Sequence, residues 1–324
     1  MRALQVARLS DDLSGVGTAD AARPAAGPGE VLIRVRAASL NYPDLLMARG
    51  LYQMKPEPPF TLGGDLAGEV EAVGAGVTAV APGDAVCAIG LGAFADFAVY
   101  PEAMVSPKPA SLSFPQAAAF GAAYLTAYVA LAERGGLRAG EWLLVHGAAG
   151  GMGLAAVDLA KALGARVIAA STADAKLGEI DRLYAPDALL NTGAGFRERV
   201  KAITGGAGAD VIFDPVNGDV FDESLRCLAF DGRLLVIGFT GGRIATLQTN
   251  HALIKGISVV GVRAGEYGRR FPDRRRRIVA KLLRLAEHGE IRPHVHAAVP
   301  LEQWREAFAL MEGRGAVGKI VLTL

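Results

Sequence analysis

The chain of 324 residues is 51% hydrophobic and 21% charged, and 34 lysines and arginines against 33 aspartates and glutamates leave a net charge of +1. This length accommodates two domains with separate cores, while the near-neutral balance and the 6% aromatic content argue against the basic, ring-lined groove of a nucleic-acid binder. No long uncharged apolar run suggests a membrane span, and Met1 to Val6 reads as a strand rather than a signal peptide, so a cytoplasmic location is expected.

After that first strand, short alternating stretches recur at Glu30 to Ala37, Gly68 to Val73, Ala85 to Ile89 and Ala95 to Val99. Turn signals separate them at Pro28-Gly29, Gly74 to Gly76, Pro82-Gly83-Asp84 and Leu91-Gly92. The pattern predicts an all-β, barrel-like module. Two polar stretches interrupt it, Asn41-Tyr42-Pro43-Asp44 and Gly50-Leu51-Tyr52-Gln53, and both are expected in loops. Polar loop residues are well placed to meet a ligand, although Asn and Asp flanking Pro also simply form turns. Cys87, in a predicted strand, and Cys227, in a predicted helix, have no Cys or His at ligand spacing, which excludes a disulfide framework and makes a zinc site improbable.

The most informative segment is Trp142 to Gly153, an apolar run ending in clustered glycines and followed at once by the amphipathic stretch Leu154 to Leu163 and Gly164. It predicts a strand, a tight turn and a helix. In such a unit Gly150 lets the backbone approach a pyrophosphate, Gly153 lets helix and strand pack closely, and the first helical N–H groups favour phosphate charge. The first glycine of the usual G-x-G-x-x-G is replaced by Ala148, so the pattern alone is weak. The context strengthens it: apolar runs follow at Arg166 to Ala170, Ala188 to Leu190, Val211 to Phe213, Leu234 to Ile237 and Ile257 to Val262, with helical segments between most of them. Six strands make one doubly wound, parallel dinucleotide-binding sheet.

At the end of the second strand the chain reads Ala170-Ser171-Thr172-Ala173-Asp174-Ala175-Lys176, with no carboxylate at 171 or 172 to accept from a ribose 2′-hydroxyl. Two hydroxyls and the Lys176 cation suit a 2′-phosphate, so NADPH is expected over NADH. The competing reading has Ser171 and Thr172 capping the next helix and Lys176 in solvent. The apolar edge strand Ile257 to Val262 calls for a cover, so a homodimer through the nucleotide domains is expected. Arg274 to Arg277 open an amphipathic helix and point around it, and His294 and His296 fit one strand face better than a metal site.

Taken together, Ala38 to Asp44, Gly50-Leu51-Tyr52, Gly63 to Gly68, Pro82 to Val86, Val145 to Gly153 and Gly318 to Leu322 resemble the medium-chain dehydrogenases/reductases, and among them the zinc-free quinone oxidoreductases related to ζ-crystallin. The resemblance implies an α/β protein: a GroES-like β-barrel substrate domain from residues 1–122 and 263–324, a Rossmann domain from 123–262, and a cleft between them. The zinc-dependent alcohol dehydrogenases of the superfamily carry Cys near the present Asn41 and Gly-His-Glu where this chain has Gly64-Asp65. Without that Lewis acid, electron-poor acceptors such as quinones and α,β-unsaturated carbonyls suit the chain better than simple alcohols.

By the same resemblance, Asn41 and Tyr52 contact acceptor or cofactor, Tyr52 or water supplies the proton, and Asp44 either orients the loop or touches substrate. Cofactor contacts are implied at Asn41 and Thr126, at Ala149, Gly150, Gly151, Met152 and Gly153, at Ser171, Thr172, Lys176 and Thr192, at Gly238, Phe239 and Thr240, and at Val262, Arg263 and Arg314. Thr192 departs from the aromatic or basic residue common there, which weakens the expected NADP selectivity. Plain alternatives stand beside these roles: core packing for Phe239, a satisfied helix hydroxyl for Thr126, a surface arginine for Arg314. Related chains also reduce enoyl or acryloyl thioesters and 2-haloacrylates, and others bind NADPH or single-stranded RNA without catalysis, so both remain competing functions.

Overall fold

The computed structural model describes residues 1–324. Alternating apolar residues build the first strands, β1 (Arg2–Val6), β2 (Val16–Asp20) and the long β3 (Glu30–Ser39), whose buried Val31, Ile33 and Val35 face one core. The chain then turns through α1 (Tyr42–Ala48) and continues as β4 (Phe60–Thr61), β5 (Asp65–Val73), β6 (Ala85–Ile89), β7 (Phe97–Pro101) and β8 (Val105–Pro107). Helix α2 (Phe114–Tyr128), extended by a π-helical turn over Val129–Arg134, leads to the second region. There β9 (Trp142–Val145), α3 (Gly151–Ala162), β10 (Arg166–Ser171), α4 (Asp174–Tyr184), β11 (Ala188–Asn191), α5 (Arg197–Ile203), β12 (Ala209–Asp214), α6 (Asp219–Cys227), β13 (Leu228–Val236), α7 (Thr249–Lys255) and β14 (Ser258–Gly261) alternate regularly. Helices α8 (Ala264–Arg270) and α9 (Pro272–Glu287), then β15 (Val295–Pro300), α10 (Trp304–Glu312) and β16 (Lys319–Thr323), complete the chain.

Two compact units result, Met1–Ala122 with Ala286–Leu324, and Ala123–Leu285. In the first, a seven-stranded sheet runs β15-β16-β3-β5-β6-β8 with β7 also on β3, and β2-β1-β4 form a smaller sheet. Strand β3 serves three neighbours because β7 pairs with Glu30 to Arg34 and β16 with Ala37 to Ser39, while β5 runs along its other edge. Register shifts at Leu32/Ile33 and Val35/Ala37 bend it, the device by which a sheet curls into a barrel. This is the GroES-like part of an α/β protein.

In the second unit all neighbours are parallel in the order β11-β10-β9-β12-β13-β14. Leu143, Leu144 and Val145 of the central β9 are fully buried, each stabilising by about 1.5–3 kcal/mol. This is the expected Rossmann sheet. The chain returns to the barrel at Ala286 and not at Arg263, just past the last strand of this sheet, which ends at Gly261. Helices α8 and α9 stay with the nucleotide unit because Ile278, Leu282 and Leu285 are buried, Tyr267 Oη donates to Glu133 Oε2 at 2.6 Å, and Lys281 Nζ lies 5.2 Å from the Tyr128 ring centre. No helix is long and apolar enough to cross a membrane.

Candidate active site

The nucleotide cradle is made of backbone. After β9, Gly147 takes φ of +57°, and the Ala148 N–H reaches across to Ala170 O at 3.0 Å. The Gly150 N–H closes the turn on Gly147 O at 2.9 Å, and Gly150 then stands as an extended N-cap of α3 with no side chain capping the helix. A Cβ on Gly153 would lie 2.2 Å from Gly147 O, so only glycine lets the helix start so close to the strand. One on Gly150 would meet nothing but Gly147 O at 3.4 Å. An uncapped helix start beside open space is what a pyrophosphate requires.

The neighbouring strand ends form a rim around this turn. The His146 N–H donates to Phe213 O at 3.0 Å, and the Ile237 N–H to Asp214 O at 2.9 Å. Thr240 donates to Pro215 O from its N–H at 3.2 Å and from Oγ1 at 3.1 Å, which ties the turn after β13 to that after β12. On the other flank the Thr192 N–H donates to Ser171 O at 2.9 Å. The structure therefore gathers Ala149, Gly150, Gly151, Met152 and Gly153 at the centre. Ser171, Thr172, Lys176 and Thr192 lie on the flank of β10 and β11, and Gly238, Phe239, Thr240, Val262 and Arg263 on that of β12 to β14.

Details differ between these residues. Ser171 is buried with Oγ accepting from the Ala173 N–H at 3.4 Å, Thr172 is exposed, and Phe239 is half-exposed rather than core. Asp174, in the first turn of α4, puts a carboxylate on the flank of β10 and β11, where it accepts from Asn191 Nδ2 at 2.6 Å. Arg263 is the N-cap of α8, and Thr126 lies half-buried on α2. Arg314 belongs to the barrel unit, in the turn before β16 with φ of +51°. Behind the cradle, burial holds the His146 imidazole down to about 3, so it stays neutral against Ser224 Oγ at 2.9 Å.

In the barrel unit the polar stretch expected as a loop begins a helix. Asn41 is the N-cap of α1, Pro43 sits in its first turn, and Asp44 Oδ2 accepts the Asn41 N–H at 2.7 Å. The spacing Asn-x-x-Asp with an early Pro is a helix-start signal that the turn reading overlooked. Nor is the Asn41 amide a free donor. Its Nδ2 donates to Asp65 Oδ2 at 2.8 Å and to Ser39 O at 3.3 Å, and its Oδ1 accepts from Lys319 Nζ at 2.7 Å. Lys319 also donates to Leu40 O at 2.6 Å, and Asp65 Oδ1 accepts the Ala122 N–H at 2.8 Å. A Cβ on Gly121 would fall 2.6 Å from that oxygen, so glycine there makes the bond possible.

This network is buried. Asp44 and Asp65 are each 1% exposed and Lys319 is 8% exposed. Burial pushes the Asp44 carboxyl up to about 7, against the pull of the Asn41 N–H and Lys319, and its Oδ1 makes no hydrogen bond. Asp65 is raised and Lys319 lowered for the same reason, their mutual attraction opposing both shifts. Sequence reasoning missed Lys319. The signal was a single cation opening the apolar strand Lys319-Ile320-Val321-Leu322. Tyr52 lies in the bend after α1, half-buried against the barrel core, and its hydroxyl makes no hydrogen bond within the chain.

Two family models match the chain: an alcohol dehydrogenase GroES-like domain over residues 27–110 and a zinc-binding dehydrogenase over 151–283. A quinone oxidoreductase-like protein 2 homolog of Nematostella vectensis is 38% identical over 91% of this chain and 82% of its own length. The quinone oxidoreductase of Sus scrofa is 31% identical over 94% and 92%. A region of the spectinabilin polyketide synthase protein NorB of Streptomyces orinoci is 37% identical over 97% of this chain, which spans 14% of that protein. Among solved structures, a probable oxidoreductase of Mycobacterium abscessus superposes with a TM-score of 0.90 at 37% identity, covering 100% of this chain and 99% of its own. A mycobacterial protein solved in complex with NADPH superposes at 0.91 with 28% identity, covering 100% of both chains.

The GroES-like barrel and the parallel six-stranded sheet, with these likenesses, define a medium-chain dehydrogenase/reductase. Within that superfamily the chain belongs to the quinone oxidoreductase family, and it is an oxidoreductase whose nucleotide unit is built for a nicotinamide cofactor. The residues present do not fit the zinc ion that one family description names. Asn41 Oδ1 is held by an ammonium 2.7 Å away, both Asp65 oxygens accept from N–H groups, and no thiolate or imidazole joins them in this network.

Proposed function

We propose that the protein reduces quinones or other electron-poor α,β-unsaturated carbonyl compounds with NADPH. The observation that carries this reading is the barrel network itself. Where zinc-dependent relatives need metal ligands, Asn41 and Asp65 are tied to each other, with the Lys319 ammonium on Asn41, and an acceptor that needs no Lewis acid is the one such a site serves. When bound, the nicotinamide supplies the hydride. The chain's own residues bind and orient: the α3 N-terminus takes the pyrophosphate, and the strand-end turns at Gly238 to Thr240 flank the nicotinamide half. Thr172 and Lys176 would receive the 2′-phosphate. Support for NADPH is the absence of a carboxylate at Ser171 and Thr172 and the likeness to a protein solved with NADPH. Asp174 works against it.

On the barrel unit, Tyr52 is the free hydroxyl for the acceptor, able to donate a hydrogen bond or proton to a developing oxyanion. Asn41 serves differently from expectation, by holding the α1 corner, and Asp44 takes the orienting one of its two expected roles. A panel of quinones, enones and acyl-thioesters with NADPH and with NADH, and alcohols with NADP, tests the whole. Quinone or enone turnover faster with NADPH supports it. Alcohol oxidation as the best activity, or cofactor binding with no turnover, refutes it and favours a dehydrogenase or a non-catalytic binding protein. A second enzyme reading, enoyl-thioester reduction, is favoured by the likeness to a polyketide synthase region, and superior rates with acyl-thioesters would select it.

The same proposal includes a homodimer joined through the nucleotide units. Strand β14 is an edge, and Phe230, Leu253 and Ile254 are 81%, 84% and 73% exposed, with the Phe230 ring against Gly256 at the end of α7. Light scattering should give twice the chain mass, and the double substitution Phe230→Lys, Leu253→Lys should give the single mass. A wild-type monomer at micromolar concentration would dismiss the dimer. The buried free thiols of Cys87 and Cys227 accord with a reducing compartment such as the cytoplasm.

A further inference from the structure

The Lys319 side chain opens an otherwise apolar strand and is 8% exposed, a position where a cation is costly unless each of its contacts is used. Its ammonium donates to the main chain at Leu40 O, 2.6 Å, and to the side chain at Asn41 Oδ1, 2.7 Å. These two acceptors belong to the residue before the α1 N-cap and to the N-cap itself. The second contact fixes which way the Asn41 amide faces: with oxygen toward the ammonium, Nδ2 must point to Asp65, 2.8 Å away. The connection from β3 to α1 thereby meets β5 and the sequence-distant β16 at one residue, Asn41. Helix α1 leads directly into the bend that carries Tyr52.

We infer that Lys319 is a positioning residue for the acceptor side of the reaction: it locks the Leu40–Asn41 corner and so holds α1 and the Tyr52 bend in their working place. The inference rests on the reading that the barrel unit binds the acceptor. Lys319 touches no reacting atom in this scheme, and Asn41 acts as its lever rather than as a ligand to substrate. The groups whose charge bears on the corner are Asp44 of α1, Asp65 of β5, the Cys87 thiol of β6 and the Tyr100 phenol of β7. Burial pushes Cys87 up to about 12 and raises Tyr100, so both are neutral and Lys319 has only the two carboxylates to answer.

Three substitutions separate the contributions: Lys319→Arg keeps charge and donors, Lys319→Gln keeps a donor without charge, and Lys319→Met removes both. Steady-state kinetics with menadione or an enone and hydrogen exchange of the segment from Tyr42 to Gln53 are the readouts. The expected result is an acceptor KM raised about tenfold in Lys319→Met and less in Lys319→Gln, with Lys319→Arg near wild type and NADPH affinity unchanged, a tenfold change being about 1.4 kcal/mol. Exchange over Tyr42 to Gln53 should quicken in the same order, and not in the nucleotide unit.

Unchanged exchange and KM in Lys319→Met overturn the inference. So does a parallel loss of NADPH affinity, which would mark a general structural role. If Lys319→Met does not fold, the double variant Asp65→Asn, Lys319→Met, which no longer strands the Asp65 charge, takes its place with the same expectations. If wild type turns over no acceptor, the functional reading fails separately, and hydrogen exchange alone decides the role of Lys319.

Discussion

The two units build their sites from opposite materials. In the nucleotide unit the cradle is backbone: a left-handed Gly147, an uncapped helix start at Gly150, and strand-end turns held by main-chain bonds such as Ile237 to Asp214. In the barrel unit it is side chains, with two buried carboxylates and a buried ammonium around a half-buried amide, where β5 and β16 meet the connection from β3 to α1. A backbone site tolerates almost any side chain that leaves room and fails when a Cβ intrudes. A buried ionic site fails when any one partner is left unpaired.

The largest expected effect tests the backbone half. Gly153→Val drives a side chain into Gly147 O, and it should lower the thermal midpoint by at least about 5 °C and abolish measurable NADPH binding. Gly150→Ala sharpens the point, because its Cβ meets only ordinary contact and its φ of −69° suits alanine. It should fold as wild type yet bind NADPH about tenfold more weakly. Unaltered affinity in Gly150→Ala, measured by fluorescence titration, would mean that the cofactor does not approach this turn.

Next in size is Gly121→Ala, the barrel counterpart, whose Cβ would displace Asp65 Oδ1 from 2.6 Å. A midpoint lower by a few degrees, about 1–2 kcal/mol, with NADPH affinity kept, is the expected pattern. Equal loss of NADPH binding would break the separation between the units.

The pH dependence follows from Asp44. Its folded carboxyl, at about 7, holds a proton more tightly than the free value of 3.8, so the stability it contributes is whole below about pH 4. That contribution is lost as pH rises toward about 7, and it is constant above. Asp44→Asn has no proton to lose. Denaturant titrations should therefore show its stability gaining on wild type between pH 4 and pH 7 and running parallel above. A difference flat across that interval would show that Asp44 is ionised throughout.

How much of this was legible in the sequence follows the same divide. The six parallel strands and the glycine turn could be read because strand period and turn glycines are local signals, each spanning a few neighbouring residues. The barrel network could not. Asn41, Asp65 and Lys319 are separated by 24 and 254 residues, from 65 − 41 and 319 − 65, and nothing local says that a lysine opening an apolar strand answers an aspartate opening another. The loop expected at Asn41 to Asp44 was a misreading of a helix start as a turn, two motifs that share Asn, Pro and Asp. The late return to the barrel was hidden because α8 and α9 look like any amphipathic helices, and only their burial against the nucleotide unit assigns them.

The smallest expected effect concerns the adenosine flank. Thr172→Ala with Lys176→Ala should cut the preference for NADPH over NADH by about threefold to tenfold, since on the proposed reading an exposed hydroxyl and a half-buried ammonium contribute about a kcal/mol together. An unchanged ratio would hand the phosphate to other residues of the rim.

The most direct test of the central claim is the fate of the hydride. With NADPH deuterated at the transferring position of C4 and a cyclic enone as acceptor, mass spectrometry of the saturated product should find one deuterium on the β-carbon for each NADPH consumed. Saturated product without label, or NADPH bound at the Gly147 to Gly153 turn with no acceptor reduced, would contradict it.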